Sequence, residues 1–153
     1  TLNGIAKGYI TDKISEHLIN SDINNTLVQL GEYRGIGDHP DGRPWRLLLS
    51  NPEHTDSIGE IEFTNAAVAT SAGLGTPFDL TGKHHHIFDP KNGYNANNYL
   101  QVSVTSKTAA EADALATAFL ILNRKASEKI ARSLNVGFEI LDNDRNRKII
   151  TSI

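Results

Sequence analysis

Along the segment NGIAKGYITDKISEHLINSD, apolar residues recur at Ile5, Ile10, Ile14 and Leu18, a roughly helical stripe, and Asn3 stands where an N-cap would. NTLVQLGEYRGIG reads as one buried strand ending in glycine turns. RPWRLLLSNP and GEIEFTNAAVATS read as further strands, the first closed by Asn51-Pro52, and YLQVSVTS alternates as a strand does. TAAEADALATAFLIL is the clearest helix. Its Thr108 and Glu111 form a T-x-x-E capping box ahead of an alanine-rich body. KASEKIARSL predicts a helix and GFEILDNDRNRKIITSI a hairpin whose polar turn separates two apolar runs. Helical and strand periods are mixed without strict alternation, so the predicted class is α+β, a mixed sheet with packed helices, in one domain over 1–153.

Composition narrows this reading. The 153 residues suffice for one buried core. No apolar run approaches the ~18 residues of a membrane span. A net charge of −3 gives no electrostatic case for nucleic acid. Cysteine is absent, which removes disulfides, thiolate metal sites and a cysteine nucleophile together. Methionine is absent as well and the chain opens TLNG, so the expectation is a fragment or processed piece, with any export signal outside it.

The chemistry concentrates in three segments. KHHHIFDPKNGY places three imidazoles before an Asp-Pro step and a glycine turn. Neutral imidazole serves as a general base or metal ligand near neutral pH. The competing readings are a solvated histidine loop or a tag remnant, and the internal position before Ile87-Phe88 argues against the tag. In extended chain His84 and His86 share a face and His85 takes the other. In EADALATA, Asp113 and Thr117 stand i, i+4 on one helix face, a hard-oxygen pair suited to magnesium or calcium. The alternative is a surface aspartate beside a threonine bonded back to its own helix. In NGIAKGY, Gly4, Ala6, Lys7 and Gly8 lie at a helix start, where small residues, backbone N–H groups and an ammonium suit a phosphate. This is neither a Walker A loop nor G-x-G-x-x-G.

Together, GIAKGY, AVATS, HHIFDPKNGY and EADALATA, in this order, resemble the ApbE family of FAD:protein FMN transferases, once filed as thiamine-biosynthesis lipoproteins. The resemblance runs from Asn3 to about Leu141, and the chain looks like the C-terminal half of such a protein. It implies a magnesium-dependent enzyme, with calcium able to take the same position. The enzyme would split FAD at the pyrophosphate and join FMN to a threonine or serine hydroxyl of a target protein. Carried over by position, the metal ligands would be the Asp113 and Thr117 side chains and the Ala6 carbonyl. Ala6, Lys7, Gly8, Gly31, Ser71 and His86 would line the FAD. His86 would be the catalytic base, and Asp89 would hold the turn or orient that histidine. The resemblance also implies a bacterial periplasmic or inner-membrane lipoprotein location, with the cytoplasm as the alternative. Membrane attachment would then come only through a lipid anchor outside this chain.

The family pattern G-G-D appears here as Leu30-Gly31-Glu32, S-G as Ser71-Ala72, and DPRTGYP as DPKNGYN. The added Cβ atoms at Leu30 and Ala72 would narrow an approach of flavin or phosphate to the backbone. Three readings follow: a flavin transferase, a metal-dependent FAD pyrophosphatase releasing FMN and AMP, and a non-catalytic flavin- or metal-binding remnant.

Overall fold

In the computed structural model, which describes residues 2–79 and 84–151, a six-stranded sheet carries helices on one face and a two-stranded ribbon stands beside it. The helices are α1 (Ala6–Asn20), α2 (Ala109–Ile121) and α3 (Arg124–Leu134). The strands are β1 (Thr26–Gln29), β2 (Tyr33–Ile36), β3 (Trp45–Ser50), β4 (Ser57–Phe63), β5 (Ala67–Ala72), β6 (Gln101–Ser106), β7 (Gly137–Leu141) and β8 (Arg147–Thr151). The large sheet runs β1-β2-β5-β6-β7-β8 and every neighbouring pair is antiparallel. β3 and β4 form the ribbon. The class is α+β.

Alternation on the central strands makes the core. Ala67, Ala69, Val102, Val104, Phe138 and Ile140 point from β5, β6 and β7 to the helix side, where Ala112, Ala116, Phe119 and Leu120 of α2 meet them. The rings of Phe119 and Phe138 lie 4.9 Å apart. Alanine on both surfaces lets α2 lie close to β5, so side chains on that helix sit near the strand's hydroxyls.

Several expected boundaries differ, each for a local reason. NTLVQLGEYRGIG is a hairpin, not one strand: it reverses at Gly31, whose φ of +100° glycine tolerates freely. GEIEFTNAAVATS divides into β4 and β5 in different sheets. It breaks at Asn65, held at φ +50° with its side-chain oxygen accepting the Gly37 N–H at 2.7 Å. The N-cap position of α1 is Ile5 rather than Asn3, and no side chain caps it. Thr108 does cap α2, accepting the Glu111 N–H at 3.3 Å, but the Glu111 carboxylate accepts from the Ser106 hydroxyl, so the reciprocal half of the capping box is not formed.

The stripe on α1 is turned around. Ile5, Ile10 and Ile14 are exposed, and the buried residues of the helix are Gly8, Thr11 and Ser15. The reason lies in how close α1 comes to α2. A Cβ on Gly8 would stand 2.3 Å from the Ala109 carbonyl oxygen, so only the smallest side chains fit this face. The Thr11 hydroxyl donates to the Lys7 carbonyl and the Ser15 hydroxyl to the Thr11 carbonyl, which satisfies both within the helix.

Candidate active site

The sheet and two helix starts bring four chain-distant segments to one place. Asp12 of α1 accepts the Ala109 and Ala110 N–H groups at 2.8 and 2.9 Å, satisfying donors that the first turn of α2 leaves open. One helical turn earlier on α1, the Gly8 N–H donates to Asp113 Oδ2 at 3.0 Å. These bonds lock the start of α1 across the first half of α2. Asp113 is 4% exposed, so the alternative of a surface aspartate does not hold. Thr117, one turn further along α2, shares a 3.2 Å hydrogen bond with the Ser71 hydroxyl of β5. Gly4 packs beside Thr117, its ideal Cβ position 3.5 Å from Oγ1. Ala6 thus lies between two residues that touch the Asp113–Thr117 pair.

Sequence reasoning missed Glu32 as a site residue. It is 2% exposed, and its Oε1 lies 2.6 Å from Lys7 Nζ. Burial lifts its carboxyl above the usual range, while the Lys7 hydrogen bond and charge and a backbone hydrogen bond from Thr70 act the other way. For Lys7, burial works against the ammonium, yet the Glu32 hydrogen bond and charge and the Asp113 charge carry its pKa above the ordinary value. Gly31 makes the pairing feasible, because a Cβ there would stand 2.8 Å from Lys7 Cδ. In the sequence its signals are an acidic residue directly after a glycine inside an apolar stretch, and its place at the acidic position of the G-G-D pattern.

The side-chain donors here are the Asp113 carboxylate and the Thr117 and Ser71 hydroxyls, hard oxygens that fit magnesium or calcium. One oxygen of Asp113 is already engaged by Gly8, so the protein would supply few ligands and a cation would complete its shell with water or phosphate oxygens. Among the described residues no group of three His, Cys, Asp or Glu side chains could hold a metal ion.

The histidine segment is joined to this cluster through β5. After Ala72 the chain forms a short 3-10 turn, Gly73–Gly75, and the His85 ring packs on Gly73 so closely that a Cβ there would meet its Cδ2 at 2.6 Å. His85 is buried. Its Nε2 donates to the Ala96 carbonyl at 2.9 Å, and Nδ1 accepts the Ile87 N–H at 3.2 Å, which together define a neutral tautomer. Burial, only partly countered by the bond to Ala96, holds its pKa below the usual imidazole value. His86 points the other way into solvent, with Nδ1 3.4 Å from the Thr76 carbonyl. His84 is exposed, and Lys83 lies outside the described residues. The carboxylate of Asp89 accepts the Lys91 N–H at 2.9 Å and Asn92 Nδ2 at 3.1 Å, and its carbonyl accepts the Gly93 N–H at 2.8 Å. Those bonds place Asp89 within the turn.

Neither added side chain disturbs the backbone. Ala72 is extended (φ −144°, ψ 135°), and Leu30 is exposed and outside the positive-φ region.

Comparison with known proteins matches this geometry to a family. The ApbE family model matches residues 1–141. FAD:protein FMN transferase from Vibrio cholerae is 34% identical over 137 residues, which are 86% of this chain and 41% of that protein. The Haemophilus influenzae enzyme of the same name is 29% identical over 92% of this chain and 42% of its own length. Among solved structures, the Thermotoga maritima ApbE protein superposes with a TM-score of 0.88 at 29% identity, covering 97% of this chain and 50% of that one. Flavin transferase ApbE from Vibrio cholerae gives 0.81 at 29%, covering 99% and 50%. The chain therefore spans about half the length of the relatives it matches.

Proposed function

The chain belongs to the ApbE family, and we propose that it carries the metal and base residues of an FAD:protein FMN transferase acting with magnesium on a threonine or serine hydroxyl. The observation that carries this reading is the buried, interlocked group of Gly8, Ser71, Asp113 and Thr117, from which β5 leads into the turn that presents His86.

The Lys7 ammonium binds the pyrophosphate of FAD, since the Ile5 and Ala6 N–H groups are held by the Leu2 carbonyl and that of Gly8 by Asp113. A magnesium ion at Asp113, Thr117 and the Ala6 carbonyl would neutralise charge on the phosphate oxygens. His86 accepts the proton of the acceptor hydroxyl. Its oxygen forms a bond to the phosphorus of the FMN moiety, and the bond from that phosphorus to the bridging oxygen breaks, releasing AMP. Exposure of His86 suits a base whose substrate is another protein's side chain. Asp89 keeps its turn, and so the position of the imidazole, in register.

With water in place of the hydroxyl the same groups would hydrolyse FAD to FMN and AMP. The added Cβ atoms at Leu30 and Ala72 are what favours a non-catalytic remnant, and the backbone at both is unstrained. The test is incubation with FAD, magnesium and a threonine-bearing acceptor, supplied with the remainder of the fold that the relatives possess. Flavin fluorescence on the acceptor band is expected. FMN and AMP in solution without labelled acceptor would instead establish the hydrolase, and neither product would overturn both.

A further inference from the structure

Two consecutive residues engage two buried carboxylates: Lys7 Nζ pairs with Glu32 Oε1 at 2.6 Å, and the neutral Gly8 N–H donates to Asp113 Oδ2 at 3.0 Å. The pair is asymmetric in exposure. Glu32 is sealed, whereas the Lys7 side chain is 54% exposed and its stem lies over Gly31. Because Lys7 and Gly8 are consecutive, one short piece of α1 joins the two carboxylates.

We propose that the Lys7 ammonium is an internal stand-in for the divalent cation, occupying the field of Glu32 and Asp113 until a pyrophosphate-bearing nucleotide draws it outward, so that cation and nucleotide bind cooperatively. This rests on the reading above that the cation sits at Asp113 and Thr117. The physical argument has three steps. A buried carboxylate left without a partner is strongly unfavourable, so Lys7 does not leave Glu32 unless another positive charge enters. A cation entering while Lys7 stays in place meets an ammonium in the same low-dielectric pocket and is repelled. A phosphate group at the mouth attracts Lys7 and supplies oxygen ligands to the cation, so each ligand relieves the cost of the other's binding.

The experiment is calorimetric titration of this chain with Mg2+ alone and with ADP alone, for the wild type, Lys7→Met and Glu32→Gln. Lys7→Met is expected to bind Mg2+ without nucleotide about tenfold more tightly than the wild type, within the usual range of coupling. Glu32→Gln is expected to bind ADP without cation several-fold more tightly, because Lys7 no longer has a buried anion to abandon. That variant leaves no unpaired buried charge, so it carries the second arm even if Lys7→Met fails to fold. Unchanged or weaker Mg2+ binding in Lys7→Met, or unchanged ADP binding in Glu32→Gln, overturns the proposal. Adding Asp113→Ala to Lys7→Met separates the two levels. Loss of the tightened binding is expected, whereas its persistence would move the cation away from Asp113 and sink the underlying site assignment.

Discussion

The cluster around Asp113 and the segment around His86 are built on opposite plans. Around Asp113 the polar groups are tied across the chain and its carboxylates are buried: Gly8 to Asp113, Asp12 to Ala109 and Ala110, Ser71 to Thr117, Lys7 to Glu32, with Asp113 and Glu32 almost fully covered. The histidine segment is held mostly by bonds within itself, from Asp89 to Lys91 and Asn92 and from Asn95 back to the His85 and Ile87 carbonyls. Its deep anchors are the His85 ring and the Ile87 and Ala96 side chains, which join the core. The first plan fixes carboxylates where water is scarce, and the second holds the His86 imidazole out in solvent, where the acceptor of the proposed reaction would reach it. Mutations should therefore separate the two regions by what they damage: stability and ligand affinity in the first, turnover in the second.

The largest effect is expected at His86. With the remainder of the fold present, His86→Ala should lower FMN transfer by roughly 100- to 10,000-fold while sparing FAD affinity, because a base acts in the transition state. Transfer at the wild-type rate in a fluorescence gel would end the base assignment. Gly8→Ala comes next. Its Cβ would meet the Ala109 carbonyl oxygen at 2.3 Å and Ala110 Cα at 2.7 Å, backbone atoms that cannot rotate away. α1 must then lift from α2, at a cost of about 1–3 kcal/mol or more, together with weaker cation binding. An unchanged melting temperature would show that the contact between these helices is slack.

These two sites also mark how much the sequence disclosed. The His86 segment was legible because three imidazoles before an Asp-Pro step are a rare run, and the alternation of His85 and His86 follows from extended backbone alone. Asp113 and Thr117 were legible as an i, i+4 pair. The α1 face was not, because its isoleucines advertise burial while the tight packing demands Gly8, Thr11 and Ser15. Nor was Glu32, since a buried carboxylate looks in sequence like any exposed one until its partner seven residues from the chain start is placed beside it. The breaks at Gly31 and Asn65 did carry a signal, residues tolerant of positive φ, but the apolar runs on either side concealed it.

A pH titration sharpens the contrast inside the histidine segment. The His85 pKa is depressed in the folded state, so between the folded value and the unfolded one the unfolded chain binds more protons. The stability contributed by neutral His85 is complete above the unfolded value of about 6.5 and is lost as pH falls through the folded one. His85→Gln should flatten that part of the stability curve relative to wild type in urea melts recorded from pH 7.5 to 4.5. His86→Gln removes only a minor repulsion at His85, so it should flatten the curve far less than His85→Gln, and an equal flattening would show that burial is not the main cause of the His85 shift.

The smallest expected effect concerns Asp89 and decides between its two roles. If its carboxylate oriented the catalytic imidazole, removing the charge would shift the pH–rate profile and cost far more than a local hydrogen bond. The structure shows the carboxylate engaged by the Lys91 N–H and Asn92 Nδ2. Asp89→Asn keeps an acceptor oxygen for the Lys91 N–H and tolerates the same turn, so it should change transfer by no more than about threefold and leave the pH–rate profile in place. Asp89→Ala removes both acceptors and should destabilise the chain by about 1 kcal/mol, read as a small drop in melting temperature. A profile displaced in Asp89→Asn while the melting temperature stays fixed would mean that the charge, not the turn, is what His86 requires.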